Sequence, residues 1–196
     1  INTLKSFGTA RNDQHATIVG VEPAMPTAVE EVLAAYLART AVFISADPAR
    51  PTQTGALTGV MASPVGKRFI LTERQTLLES GIATLTTVSG TVQIERAVTT
   101  YQRNSMGDAD ASYLDSETLH TSAYILRRLK SIITSKYARH KLADDGTRYG
   151  AGQAIVTPSV IKGELVAEYA RLELKGICEN RDLFKAHLIV ERDVDN

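Results

Sequence analysis

Ile82-Ala-Thr-Leu-Thr-Thr-Val88 and Thr91-Val-Gln-Ile-Glu-Arg-Ala-Val-Thr-Thr-Tyr101 are two runs rich in Thr, Val and Ile, separated by Ser89-Gly90. Two extended runs joined by two turn-forming residues are the signature of a β-hairpin. In the second run Val92, Ile94, Arg96 and Val98 alternate imperfectly with Gln93, Glu95 and Thr99, which predicts a strand with one face partly wet. Upstream, Ala16-Thr-Ile-Val-Gly-Val21 reads as a short buried strand ended by Glu22-Pro-Ala-Met-Pro26. Thr27-Ala-Val-Glu30 has the form of a capping box, and Val29, Val32, Leu33, Tyr36 and Leu37 follow at helical spacing. That helix runs out near Ala46, and Asp47-Pro-Ala-Arg-Pro51 stops it, since a residue before proline is pushed out of the α region.

Residues 54–66 read as a surface loop with at most one brief strand, and Arg68-Phe-Ile-Leu71 as a short strand. Thr72-Glu-Arg-Gln75 opens a helical turn that carries Leu77 and Leu78 and ends at Gly81. The opening segment, Asn2 to Asp13, is mixed and polar and carries no assigned element. Downstream, residues 104–111 are a polar turn region. Ser116 then begins the longest helical pattern, with Leu119, Ala123, Leu126, Leu129, Ile133 and Tyr137 in one stripe. His140 to Ile155 is a long connector. Thr157-Pro158 starts a second long helix, whose buried face is expected at Ile161, Leu165, Tyr169 and Leu172 and whose end is expected at Gly176. Ala186-His-Leu-Ile-Val190 reads as a closing strand. Together these elements predict an α/β to α+β fold, a mixed sheet flanked by helices, with the two long helices on one face.

Composition narrows the function. The chain has 196 residues, Lys+Arg 22 against Asp+Glu 22, and 43% hydrophobic residues, which suits an ordinary globular protein. No apolar stretch approaches the roughly 18 residues that cross a bilayer, so no membrane insertion is expected. Balanced charge argues against a dedicated nucleic-acid binder. With Cys178 alone no intrachain disulfide can form, which suits a reducing compartment. The start at Ile1 without Met leads us to expect a fragment.

No catalytic constellation emerges. His15, His120, His140 and His187 lack partners at metal-ligand spacing, Cys178 has no neighbouring His, and no Gly-x-Ser-x-Gly occurs. The stretch Gly146-Thr-Arg-Tyr-Gly-Ala-Gly152 lacks Gly-Lys-Ser/Thr and follows a helix, which argues against a phosphate loop. Adjacent Asp144 and Asp145 read as a solvated turn. No catalytic residue, cofactor or metal is therefore expected. What remains is a basic cluster, Arg127, Arg128, Lys130, Lys136, Arg139, Lys141 and Arg148, as the candidate interaction site. It is followed by an acidic end with Glu164, Glu168, Glu173, Glu179, Asp182, Glu191, Asp193 and Asp195. Such asymmetry at zero net charge favours head-to-tail self-association.

Several longer stretches carry a family resemblance. Leu71-Thr-Glu-Arg-Gln-Thr-Leu-Leu78, Gly81-Ile-Ala-Thr84 and Ala97-Val-Thr-Thr-Tyr-Gln102 resemble the tail sheath proteins of contractile-tailed bacteriophages, specifically their Mu-like branch. Asp47-Pro-Ala-Arg-Pro51, Ser112-Tyr-Leu-Asp115, Lys141-Leu-Ala-Asp-Asp-Gly-Thr-Arg148 and Gly150-Ala-Gly-Gln153 agree with it. The resemblance implies a structural, non-enzymatic subunit that packs as helical rings around a tail tube and contracts to drive the tube through the host envelope. It implies that residues 1–71 are the later part of a non-catalytic α/β domain of subtilisin-like topology, and residues 72–196 a C-terminal α+β sheath domain. The implied partners are other sheath subunits, the tail tube protein, the baseplate and the tail terminator, in the virion and, during assembly, in the host cytoplasm. Family members carry terminal extensions that add strands to neighbouring subunits. This chain is expected to lack them, and the Thr91–Tyr101 strand or the Ala186–Arg192 segment would offer the receiving edges. Two other readings stay open: a hydrolase-type α/β enzyme, and a nucleic-acid-binding module using the basic helix.

Overall fold

The computed structural model describes residues 1–193, which divide into two compact units, Ile1–Thr121 and the residues from Ser122 onward. In the first unit the hairpin forms as expected. Strands β3 (Ile82–Val88) and β4 (Thr91–Arg96) pair antiparallel, with Leu85 opposite Ile94 and Val88 opposite Thr91. The turn between them holds Ser89 at φ 49° and Gly90 at φ 83°, the doubly left-handed geometry that follows the strand twist. Strand β1 (Ile18–Gly20) joins β3 in parallel, and β2 (Ala56–Met61) joins β4 antiparallel, giving a mixed four-stranded sheet ordered β1-β3-β4-β2. Strands from both sides of position 71 thus share one sheet.

Alternation along β3 divides the core in two. Ala83 and Leu85 point to one face, where Val32 and Tyr36 of α2 (Val29–Ala46) pack with Leu57, Val92 and Ile94. Ile82 points to the other, against Phe69, Leu77 of α3 (Leu71–Glu79), and Leu4 of α1 (Asn2–Arg11). Helix α2 thus packs on one face of this sheet, and α1 with α3 on the other.

Four local expectations also change. The polar opening segment is helix α1, held by Gly8 against Ser80 and by Asn12, whose Oδ1 accepts from the Gln102 and Arg103 N–H groups at 2.8 and 2.9 Å. Thr27 does not cap α2. Its Oγ1 accepts the Met61 N–H of the edge strand at 2.8 Å, and Ala28 takes the cap position. Residues 68–71 form no strand, because Glu22 takes the Phe69 N–H at 3.1 Å and Arg74 donates to the Phe69 carbonyl at 2.7 Å. Strand β4 ends at Arg96 and lies between β3 and β2, so it offers no open edge for another chain.

Helix α4 (Ser116–Tyr137) starts where its sequence pattern starts and runs from the first unit into the second. The second unit continues with a short parallel pair, β5 (Lys141–Leu142) and β6 (Ile155–Val156), which closes the connector into a loop. Helix α5 (Pro158–Leu174) follows, with Pro at its first position. Asp145 reaches it from the loop, accepting from the Ser159 N–H at 3.2 Å and the Ser159 hydroxyl at 2.6 Å, so this carboxylate serves the helix start where a free turn was expected. Gly176 at φ 70° ends the helical run. The expected closing strand is absent among the described residues: Ala186 and His187 belong to α6 (Arg181–His187), and residues 188–193 pair with no strand. Tyr169 stacks on Phe184 at 4.1 Å and joins α5 to α6, which ends at His187.

Candidate interaction surface

The structure places the basic cluster on α4 and the loop after it, and separates its members into two groups. Arg128 donates to Glu168 Oε1 at 2.6 Å, and Lys136 to Glu164 Oε2 at 2.6 Å, so these two cations clamp α4 to α5 within the chain. The pairing order is antiparallel. Glu168 is the centre of the clamp: its side chain is 2% exposed, and Arg171 binds its second oxygen at 2.8 Å. Burial disfavours its charge, but the hydrogen bonds from Arg171 and Arg128 outweigh burial and hold its carboxyl below the ordinary value. The bond to Glu168 raises the pKa of Arg128 in turn.

Arg127, Lys130, Arg139, Lys141 and Arg148 form the second group: all are exposed, and none has an ion pair among the described residues. Beside Arg139 runs a shallow trough of about 460 Å³ lined by Ser135, Lys136, Ala138, His140 and Ala154. The acidic end is thus partly spent inside the chain, on Arg128 and Lys136, and the other five cations stay exposed without an ion pair among the described residues. Asp195 lies outside the described residues. Sequence pattern alone does not reveal the Arg128–Glu168–Arg171 triad, whose one local signal is the three-residue spacing of Glu168 and Arg171 on α5.

Among the described residues no three His, Cys, Asp or Glu side chains come together as a metal site, and no helix is long and apolar enough to cross a membrane. The His140 ring packs edge-on against Tyr137 at 5.2 Å. Cys178 is half-buried against the Tyr169 carbonyl, and burial pushes its thiol up, away from a reactive thiolate. Gly146 and Gly152 sit at φ 83° and 78° in an exposed loop and serve its turns.

Comparison with known proteins gives this surface a setting. The family model described as the phage tail sheath protein central domain matches residues 2–100, and the one described as the phage tail sheath C-terminal domain matches residues 108–196. The chain is 42% identical over 194 residues to the Mu-like prophage FluMu tail sheath protein of Haemophilus influenzae. That match takes in 98% of this chain and 39% of the relative's length. The chain belongs to the phage tail sheath family.

Proposed function

We propose that the chain is the central and C-terminal part of a structural subunit, not an enzyme, that polymerises with its own copies around a tail tube and contracts to drive the tube through the host envelope. The observation that carries this reading is the succession of two sheath-family matches along nearly the whole chain. The thin core of the second unit supports it. From Ser122 onward only Val156, Thr157, Glu168 and Leu172 are buried among the described residues, whereas Leu126, Leu142, Leu174, Leu183 and Ile189 are exposed. Such a unit gains much of its burial from neighbours. Arg127, Lys130, Arg139, Lys141 and Arg148 would face acidic patches on the tube or an adjoining subunit, where complementary charge sets register. Baseplate and terminator contacts, assembly in the host cytoplasm and incorporation into the virion follow from the same reading.

Sedimentation of the complete polypeptide tests it. Fast-sedimenting assemblies are expected to form with rising concentration, and Arg127→Glu combined with Lys130→Glu is expected to weaken them, as is added salt. A polypeptide that stays monomeric at high concentration would count against the sheath reading. Assembly unaffected by the charge reversal would remove the cations from the interface.

A further inference from the structure

Helix α2 is apolar on the side that faces away from its core. Val32 and Tyr36 fix the inward direction. On the opposite side Ala34, Ala38, Ala41 and Ser45 recur at i, i+4, i+7 and i+11, flanked by Leu37 at 65% and Val42 at 59% exposure, and all six are exposed. Between Glu31 and Asp47 the only charged residue is Arg39, and its Nε is turned to the Ala56 carbonyl at 2.9 Å. The outward face therefore carries no charge over four turns. A helix covering a domain from outside has a polar outer face, and one that is apolar all round is buried in the assembled protein. The small side chains also allow another backbone to approach closely, toward the roughly 8 Å end of helix packing distances. The surface continues into a trough of about 280 Å³ between α2 and β2, lined by Ala35, Ala38, Arg39, Val42, Ala56 and Thr58.

We propose that this face is an internal domain interface, covered in the complete polypeptide by the part of the same chain outside residues 1–196. One observation and one physical argument select that occupant over a second copy. The relative matched here extends well beyond the 39% of its length that this chain covers, and the first matched domain is described as central. An uncharged face of this length would also drive premature association if it stayed open in a free subunit. The cover therefore exists before any assembly, and the inference stands whether or not the polypeptide polymerises.

Thiol labelling of the complete polypeptide tests the assignment. In a Cys178→Ser background, Ala38→Cys and Ala41→Cys are compared with Ala151→Cys, an exposed loop position, in the monomer held below its assembly concentration. Labelling at 38 and 41 is expected to be at least about tenfold slower than at 151 in the monomer, as closed packing requires. Full labelling in the monomer with protection only in assemblies would make the cover a second copy and overturn the proposal. Full labelling in both states would show that nothing covers the face, and would overturn it too. Absence of any assembly would refute the sheath reading while the monomer still decides this one.

Discussion

Gly8 lies inside α1, where alanine is the better helix former by about 1 kcal/mol. Sterics decide the opposite way. A Cβ at this position would sit 2.0 Å from the Ser80 carbonyl oxygen and 2.8 Å from Ile82 Cδ1, so Gly8→Ala must lift α1 off the sheet. Urea unfolding is expected to show a loss of about 3 kcal/mol, the range of severe overpacking, and a gain would mean α1 packs elsewhere. Glu22 is the second telling residue. It is 5% exposed, its Oε1 accepts the Phe69 N–H, and its Oε2 has no hydrogen-bond partner among the described residues. Burial raises its pKa, against the opposing pull of the Phe69 N–H, Arg68 and Arg74. Because the folded state then holds this proton more tightly than the unfolded chain, Glu22 costs stability above its folded pKa and that cost vanishes as pH falls below the unfolded value. Glu22→Gln is accordingly expected to melt above the parent protein at pH 7 and level with it near pH 4. An equal gap at both pH values would contradict the assignment. Neither residue was legible beforehand, since Gly8 sits in a polar stretch and Glu22 beside a proline, where only tertiary contacts give them roles.

Among elements, those with strong local signals were readable. The Ser89-Gly90 hairpin, the Ser116 helix start and the Thr157-Pro158 entry all appear where their chemistry placed them. Two of the failures share a cause, backbone or capping groups claimed by distant partners. Glu22 and Arg74 occupy the Phe69 N–H and carbonyl that a strand would use, and Thr27 serves β2 instead of its own helix. In the apolar Ala186–Val190 stretch, Ala186 and His187 end helix α6, whose Phe184 stacks on Tyr169, and residues 188–190 pair with no strand among the described residues. The α4–α5 clamp makes an energetic claim of its own. Glu168→Ala removes the centre of an Arg–Glu–Arg triad, but Arg128 and Arg171 are 50% and 58% exposed and can rehydrate. The expected loss is about 2 kcal/mol, below that of a fully buried pair, and hydrogen exchange should locate it in α4 and α5. Unchanged protection there would remove the triad from the account.

At the scale of the whole molecule, composition spoke only by exclusion, and longer motifs carried the identity. Zero net charge conceals two situations of charge, an internal clamp that consumes Arg128 and Lys136 and an exposed set, Arg127, Lys130, Arg139, Lys141 and Arg148, without ion pairs among the described residues. The candidate site was thus legible as a cluster but not in its division, because pairing depends on how α4 and α5 meet. Exposed apolar residues in both units point the same way, to a chain completed by its surroundings. The most direct measurement is electron microscopy of contractile-tailed particles bearing this protein, decorated with gold-tagged antibody raised against residues 1–196. Gold along the whole tail shaft is the result predicted for a sheath subunit, and gold confined to the head, the baseplate or the fibres would contradict it.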